Sequence, residues 1–184
     1  MKLSSRLLAF FVLLICGCGS AAPSVTISSP FLAEHRLLFD DGADFFDDPV
    51  ALQGAWRDAS IRDTYDRVDA ADLVVVVTID SSHADSDPSG LTSYRLVGQV
   101  ERNVLGAAAV PQLNLLSGPE SPGYATIRNN GPRLLNSRFV VYLKWYTDAE
   151  GEIRSHWHLS PASNPVLVEV ERAVARTLSR RGQS

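Results

Sequence analysis

The stretch Ala71–Asp80 (ADLVVVVTID) constrains the fold of this chain more than any other part of the sequence. It contains four consecutive valines, and neither face of an extended strand built from it would be polar. Such a β-branched, apolar run is typical of a strand that is buried on both sides. We therefore expect a sheet in which this strand has a central position.

Three further runs alternate between apolar and polar residues, which is typical of strands with one apolar face. They cover residues 92–105, 137–147 and 153–159. Between the last two runs lies Asp148–Gly151 (DAEG), which favours a tight hairpin loop with Gly151 in the left-handed region. The alternation therefore predicts a sheet of about four long strands, all of them antiparallel.

Two segments have helical periodicity. One spans about residues 49–69, where Asp48 is a candidate N-cap, Pro49 suits the first turn and Gly54 weakens the helix. The other is the C-terminal segment that begins at Asn164. We expect an α+β fold, in which an antiparallel sheet of about four strands carries both helices on one face as a two-layer sandwich.

Residues 106–133 show no strong period and contain several prolines and glycines. This is longer than most connections, and long loops are often functional. We predict that residues 106–133 form a long irregular loop and an interaction segment.

The N-terminus has the pattern of a secretion signal. Lys2 and Arg6 are positively charged, and they precede the nine apolar residues of Leu7–Ile15. An apolar run of this length is too short to cross a bilayer and is typical of the central part of a signal peptide.

The end of this run, Ile15, Cys16, Gly17 and Cys18, resembles the lipobox of bacterial lipoproteins. A branched apolar residue stands three positions before Cys18, and Gly17 stands directly before it. The resemblance implies cleavage after Gly17 and diacylation of Cys18, and Gly19 at the next position implies sorting to the outer membrane. An ordinary cleaved signal peptide with a soluble product is the alternative.

These features predict three regions: a lipoprotein signal peptide over 1–17, the lipidated cysteine with a flexible tether over 18–30, and one globular domain over 31–184. The chain has 21 acidic and 17 basic residues, so a general nucleic-acid binder is not expected. Its only two cysteines are Cys16 and Cys18, both before the globular domain, which excludes a disulfide-stapled domain.

Two acidic segments are candidate calcium sites, because Ca²⁺ prefers oxygen ligands. Residues 40–48 carry five aspartates without the spacing of an EF-hand, and helix capping by Asp47 and Asp48 is the simpler interpretation. Residues 85–90 begin like an EF-hand loop, but Leu96 stands where the bidentate glutamate belongs. A polar connection between two strands explains that segment better.

His156 and His158 are a weak candidate zinc pair, since residues i and i+2 of a strand project to the same side. The predicted hairpin register places Tyr142 opposite His158 and Lys144 opposite His156. A positive charge beside His156 would repel a cation, so a solvated sheet face is the alternative. We therefore predict no metal ligand and no cofactor.

The common catalytic motifs are missing: the sequence has no G-x-S-x-G, no S-x-x-K around Lys144, no H-E-x-x-H, no G-x-G-x-x-G and no P-loop. We therefore expect no catalytic residue. The sequence predicts a non-enzymatic lipoprotein that is anchored to the bacterial outer membrane, faces the periplasm and binds or scaffolds another envelope protein or a glycan.

Three alternatives remain. One is a periplasmic metal-binding protein or hydrolase that uses His156 and His158. Another is a lipoprotein exposed on the cell surface, such as an adhesin. The third is an outer-membrane assembly lipoprotein of the lipopolysaccharide-transport type, to which the chain is similar in element order: lipidated cysteine, helix, long antiparallel strands and C-terminal helix.

Overall fold

The computed structural model describes residue 27 and residues 29–182. The described residues form six strands and four α-helices. The strands are β1 (Gly42–Ala43), β2 (Leu73–Ser86), β3 (Thr92–Leu105), β4 (Gln112–Ser117), β5 (Arg138–Thr147) and β6 (Ile153–Pro161). The helices are α1 (His35–Leu38), α2 (Ala55–Ala70), α3 (Tyr124–Leu134) and α4 (Asn164–Arg181).

The sheet is mixed, so the predicted all-antiparallel sheet of about four strands is wrong. Its order is β1-β6-β5-β2-β3-β4, and β1 runs parallel to β6 while every other pair is antiparallel. β1 is only two residues long, too short to leave an alternating pattern in the sequence. The central position predicted for the valine-rich strand is confirmed, because β2 lies between β5 and β3.

Helices cover both faces of the sheet, so the predicted two-layer sandwich, with helices on one face only, is also wrong, although the two predicted helices do share a face. Val68 of α2 and Val170 of α4 pack with Val74 and Val76 of β2. On the other face, Ile127 of α3 packs in the core that contains four residues of β2: Leu73, Val75, Val77 and Ile79. The physical reason is the apolar character of both faces of β2, since each face has to be covered to remove it from water.

The segment 106–133 is not a long loop, because it contains β4 and most of α3. β4 does alternate, with Leu113 and Leu115 buried and their neighbours exposed. The alternation is short and lies among prolines and glycines, which conceals it in the sequence. α3 contains Gly131 and Pro132, both of which lower helix propensity.

The helix predicted over 49–69 begins later than expected. A single 3-10 turn covers Pro49–Ala51, and α2 starts only at Ala55. Gly54 has φ = +56°, a left-handed conformation that glycine adopts readily, and it separates the 3-10 turn from α2. Trp56, in the first turn of α2, is 78% exposed.

The sheet curls around the core on the α3 side. The indole Nε1 of Trp157 in β6 donates to the carbonyl of Leu116 in β4 at 3.0 Å. Three strands separate β6 from β4, which in a flat sheet would place them about 19 Å apart. The curling therefore brings the two ends of the sheet close to each other.

Candidate functional site

The acidic segment that contains β1 lies against β6, the strand that carries both histidines. Gly42 pairs with His158, the N–H of Asp41 donates to the carbonyl of Trp157 at 2.8 Å, and the N–H of Asp44 donates to the carbonyl of Leu159 at 2.9 Å. The two weak metal candidates of the sequence therefore lie in one place. We call Asp40, Asp41, Asp44, His156 and His158 the acidic clamp.

Asp41 is the most buried carboxylate of the acidic clamp, with 2% of the residue exposed. Its oxygens accept hydrogen bonds from Nδ1 of His156 at 2.8 Å, from the Ser121 hydroxyl at 2.8 Å and from the N–H of Trp157 at 3.1 Å. Its φ of +56° lies in the left-handed region, which aspartate tolerates better than most residues. Asp41 therefore ties β6 to the loop that precedes α3.

His158 lies between two carboxylates and is buried. Its Nδ1 is 2.8 Å from Asp40 and its Nε2 is 3.3 Å from Asp44. Each ring nitrogen of His158 therefore lies within hydrogen-bond distance of a carboxylate oxygen. Ser160 donates to Asp44 at 2.8 Å, and the Arg67 guanidinium lies 3.9 Å from the same carboxylate.

The environment of Asp40 favours its charged form. Burial opposes ionisation, but the hydrogen bond from His158, the positive charges of His158 and Arg67 and the N–H of Gly42 together outweigh it. They hold the pKa of Asp40 below its ordinary value. The charged form of Asp40 therefore stabilises the folded state.

His156 lies between Arg36 and Asp41. Nη1 of Arg36 in α1 lies 2.6 Å from Nε2 and 2.8 Å from Nδ1 of His156, and the imidazole stacks on the Tyr146 ring with the centroids 4.8 Å apart. Nδ1 also lies 2.8 Å from the Asp41 carboxylate. Both ring nitrogens of His156 therefore have close partners within the protein.

This arrangement has a clear chemical consequence. All four ring nitrogens of His156 and His158 face a carboxylate or a guanidinium. Ser121 donates to Asp41 instead of to an imidazole, so these residues do not form a nucleophile with its base. Within the residues that the structure describes, no group of three or more His, Cys, Asp or Glu side chains is placed to hold a metal ion.

The remaining acidic candidates lie elsewhere. Asp48 accepts from the N–H of Ala51, so it caps the 3-10 turn and not α2, and the carbonyl of Asp47 accepts from Ser163. In the 85–90 segment, one oxygen of Asp87 accepts from the N–H and hydroxyl of Ser89 and from the N–H of Leu91. Those bonds hold the turn between β2 and β3.

The predicted register of the β5–β6 hairpin is confirmed: Tyr142 pairs with His158 and Lys144 with His156. Gly151 has φ = +86°, as expected for its turn. The expected cation repulsion by Lys144 does not describe its role, because its ammonium group is 3.0 Å from Asp72 and both side chains are almost completely buried. Sequence reasoning missed this ion pair, although a lysine among alternating apolar residues is a signal for one.

A groove of about 690 Å³ lies beside the N-terminal end of the described chain. The Ser29 hydroxyl accepts from the Lys144 ammonium at 3.0 Å, which places the start of the domain at this groove. Leu37 is 78% exposed in its wall. The other side chains that line it belong mainly to α1 and α2: Glu34, His35, Leu38, Asp63, Asp66, Asp69 and Ala70.

The groove is negatively charged. Four of its side chains are carboxylates, and only Asp69 among them has a cationic partner described, Arg180. Burial and the charge of Lys144 lower the pKa of His35, which favours the neutral imidazole. The groove therefore combines acidic groups with an exposed leucine.

Cys18, Gly17 and the rest of the lipobox lie outside the described residues. Among the helices that are described, none has the length and apolar character needed to cross a membrane. Comparison of the chain with family models, with curated proteins and with solved structures finds no match.

Proposed function

We propose that this chain is a lipoprotein of the bacterial envelope, anchored through Cys18, and that its domain binds another envelope component without catalysing a reaction. The groove beside Ser29 is the observation that carries the binding role. The anchoring role rests on the lipobox resemblance of Ile15, Gly17 and Cys18. The acidic clamp supports the non-enzymatic part, because its acids and imidazoles bind one another.

The position of the groove fits a partner in or near the membrane. Only the residues from 18 to 29 separate the proposed lipid from Ser29. Fully extended, such a tether spans at most about 40 Å. The groove therefore stays close to the bilayer, where the extracytoplasmic part of a membrane protein would meet it.

The chemistry of the groove indicates what the partner presents. Glu34, Asp63 and Asp66 attract lysine and arginine side chains, and exposed Leu37 offers apolar contact. We expect a partner segment with basic residues beside an apolar one. Contact through both kinds of group would make binding sensitive to salt as well as to the shape of the leucine side chain.

Leu37→Glu tests this role in the full-length, C-terminally tagged chain isolated from detergent-solubilised membranes. Leu178→Glu is the matched control, because Leu178 is also an exposed helical leucine but lies outside the groove. We expect the wild type and Leu178→Glu to recover the same defined envelope component. Leu37→Glu should recover at least about tenfold less, the effect of losing roughly 1.4 kcal/mol of binding.

A Cys18→Ala variant separates anchoring from binding. We expect it to lose incorporation of labelled fatty acid and to leave the membrane fraction. Labelling that persists in Cys18→Ala would contradict the anchor, and equal recovery by Leu37→Glu and Leu178→Glu would contradict the groove. The metal-binding or hydrolase alternative for His156 and His158, and the lipopolysaccharide-transport alternative, remain predictions that no observation on the described residues favours.

A further inference from the structure

The hairpin of β2 and β3 extends beyond the rest of the sheet. β5 pairs with β2 only over Leu73–Thr78, whereas β2 continues to Ser86. From Ser81 to Ser86 the strand pairs with β3 on one side, and no strand in the described part of the chain pairs with its other side. This leaves an open strand edge of six residues, most of them exposed.

The hydrogen bonds of the turn show which backbone groups face the open edge. The N–H of Asp87 donates to the carbonyl of Leu91 at 2.9 Å, so the backbone groups of Asp87 point toward β3. The direction of the backbone N–H and carbonyl alternates along an antiparallel strand. The backbone groups of Ser82, Ala84 and Ser86 therefore point toward the open edge. The 2.9 Å contact between the hydroxyls of Ser86 and Thr92 agrees, because side chains approach most closely at pairs that are not hydrogen-bonded.

We propose that this edge pairs with the same edge of a second copy of the chain, antiparallel, about a two-fold axis at Ala84. In that register Ala84 lies opposite Ala84 of the second copy, and Ser82 lies opposite Ser86 of the second copy. Each residue whose backbone groups point toward the open edge then lies opposite such a residue of the second copy. The pairing forms about six backbone hydrogen bonds, since each such pair exchanges two.

The side chains favour this register over its neighbours. It places His83 opposite Asp85 of the second copy, and Asp85 opposite His83, at pairs where side chains are closest. A shift of one hydrogen-bonded step in one direction places Asp85 opposite Asp85 of the second copy, and like charges directly opposite each other destabilise an antiparallel pair. A shift in the other direction places His83 opposite His83 and removes both contacts between an imidazole and the Asp85 carboxylate.

The interface is isologous, so it closes as a dimer and does not extend into a fibre. Asp80 limits its length, because the register between β2 and β3 shifts between Ile79 and Ser81. Such a bulge twists the strand away from continued pairing. An edge of this size buries less than a standard interface, so we expect a weak dimer with a micromolar dissociation constant.

Disulfide cross-linking of the full-length chain in its native membrane tests the proposal. In Ala84→Cys the two new cysteines would lie about 5.5 Å apart between Cα atoms, a distance that a disulfide can span. Ser89→Cys is the matched control, because it lies at the exposed tip of the same hairpin but about 33 Å from its counterpart in the proposed register. The chain without either substitution shows how much cross-linking arises from the cysteines that it already contains.

We expect at least fivefold more cross-linked dimer from Ala84→Cys than from Ser89→Cys. Adding Ser82→Pro should abolish the difference, because proline removes one outward N–H and leaves the bonds to β3 intact. Protease resistance of each variant reports folding. Equal cross-linking of Ala84→Cys and Ser89→Cys, or cross-linking of a folded Ser82→Pro, Ala84→Cys variant at the same level as Ala84→Cys, would overturn the proposal.

Discussion

Replacement of Asp72 by alanine is expected to lower the free energy of unfolding by about 3–5 kcal/mol. The carboxylate is 3.0 Å from the Lys144 ammonium, and the two side chains are 1% and 0% exposed. It also accepts from the N–H of Trp145 at 2.9 Å. The variant therefore leaves a buried positive charge and a buried N–H without these partners. Urea unfolding followed by circular dichroism measures the effect.

Two comparisons isolate the cause of this loss. Glu171→Ala breaks a half-exposed ion pair with Arg102 and should cost less than about 1 kcal/mol. The double variant Asp72→Ala, Lys144→Met should recover much of the stability that Asp72→Ala loses, because no unpaired charge remains buried. A double variant no more stable than Asp72→Ala would show that the charge of Lys144 is not the cause.

Gly123→Ala is expected to destabilise the protein by about 2–3 kcal/mol. A Cβ atom at Gly123 would lie 2.3 Å from the Cα atom of Gly42, where β1 meets the start of α3. The N–H of Gly123 also donates to the carbonyl of Asp40 at 2.8 Å, so the two segments cannot separate without losing that bond. Thermal and urea unfolding should both report the loss.

Gly131→Ala, in the same helix region, is the control for Gly123→Ala. A Cβ atom at Gly131 meets no atom within 4 Å, and alanine has the higher helix propensity. We expect it to stabilise the protein by up to about 1 kcal/mol. Similar effects of the two substitutions would contradict the close approach of β1 and α3.

Local patterns in the sequence were sufficient for the β5–β6 hairpin. Alternation places Trp157 on one face, Gly151 permits the turn, and together they determine which residues of the two strands are opposite each other. The buried strand β2 was predictable for a similar reason, since a continuous apolar run has few other stable positions. Both inferences depend on residues that are close in sequence.

The parts that were missed depend on distant contacts. β1 is a strand only because Gly42 and Ala43 pair with β6, more than a hundred residues later in the chain. β4 and α3 are stabilised by the core around Trp157, which overrides the turn-forming prolines and glycines of their own sequence. Local propensity is weak evidence wherever tertiary packing decides the outcome.

The candidate site shows the same limit. Five aspartates in one segment and two histidines in another were separate candidates for separate metals. The parallel pairing of β1 with β6 aligns three of those aspartates with both histidines, and no local pattern indicates that alignment. As a result, charges that resembled metal ligands in the sequence are hydrogen-bond partners of one another in the fold.

The most direct test of this account is a double-mutant cycle for Asp40 and His158, because the central claim is that the acidic clamp holds the fold together. We expect the unfolding free energies of Asp40→Ala, His158→Ala and the double variant to give a coupling of about 1.5–3 kcal/mol at pH 7. The folded pKa of Asp40 lies below its ordinary value of 3.8. The coupling should therefore be complete above that value and disappear as the pH falls through the folded pKa. A coupling below about 0.3 kcal/mol at pH 7, in variants that fold, would contradict the claim and leave these side chains free for chemistry.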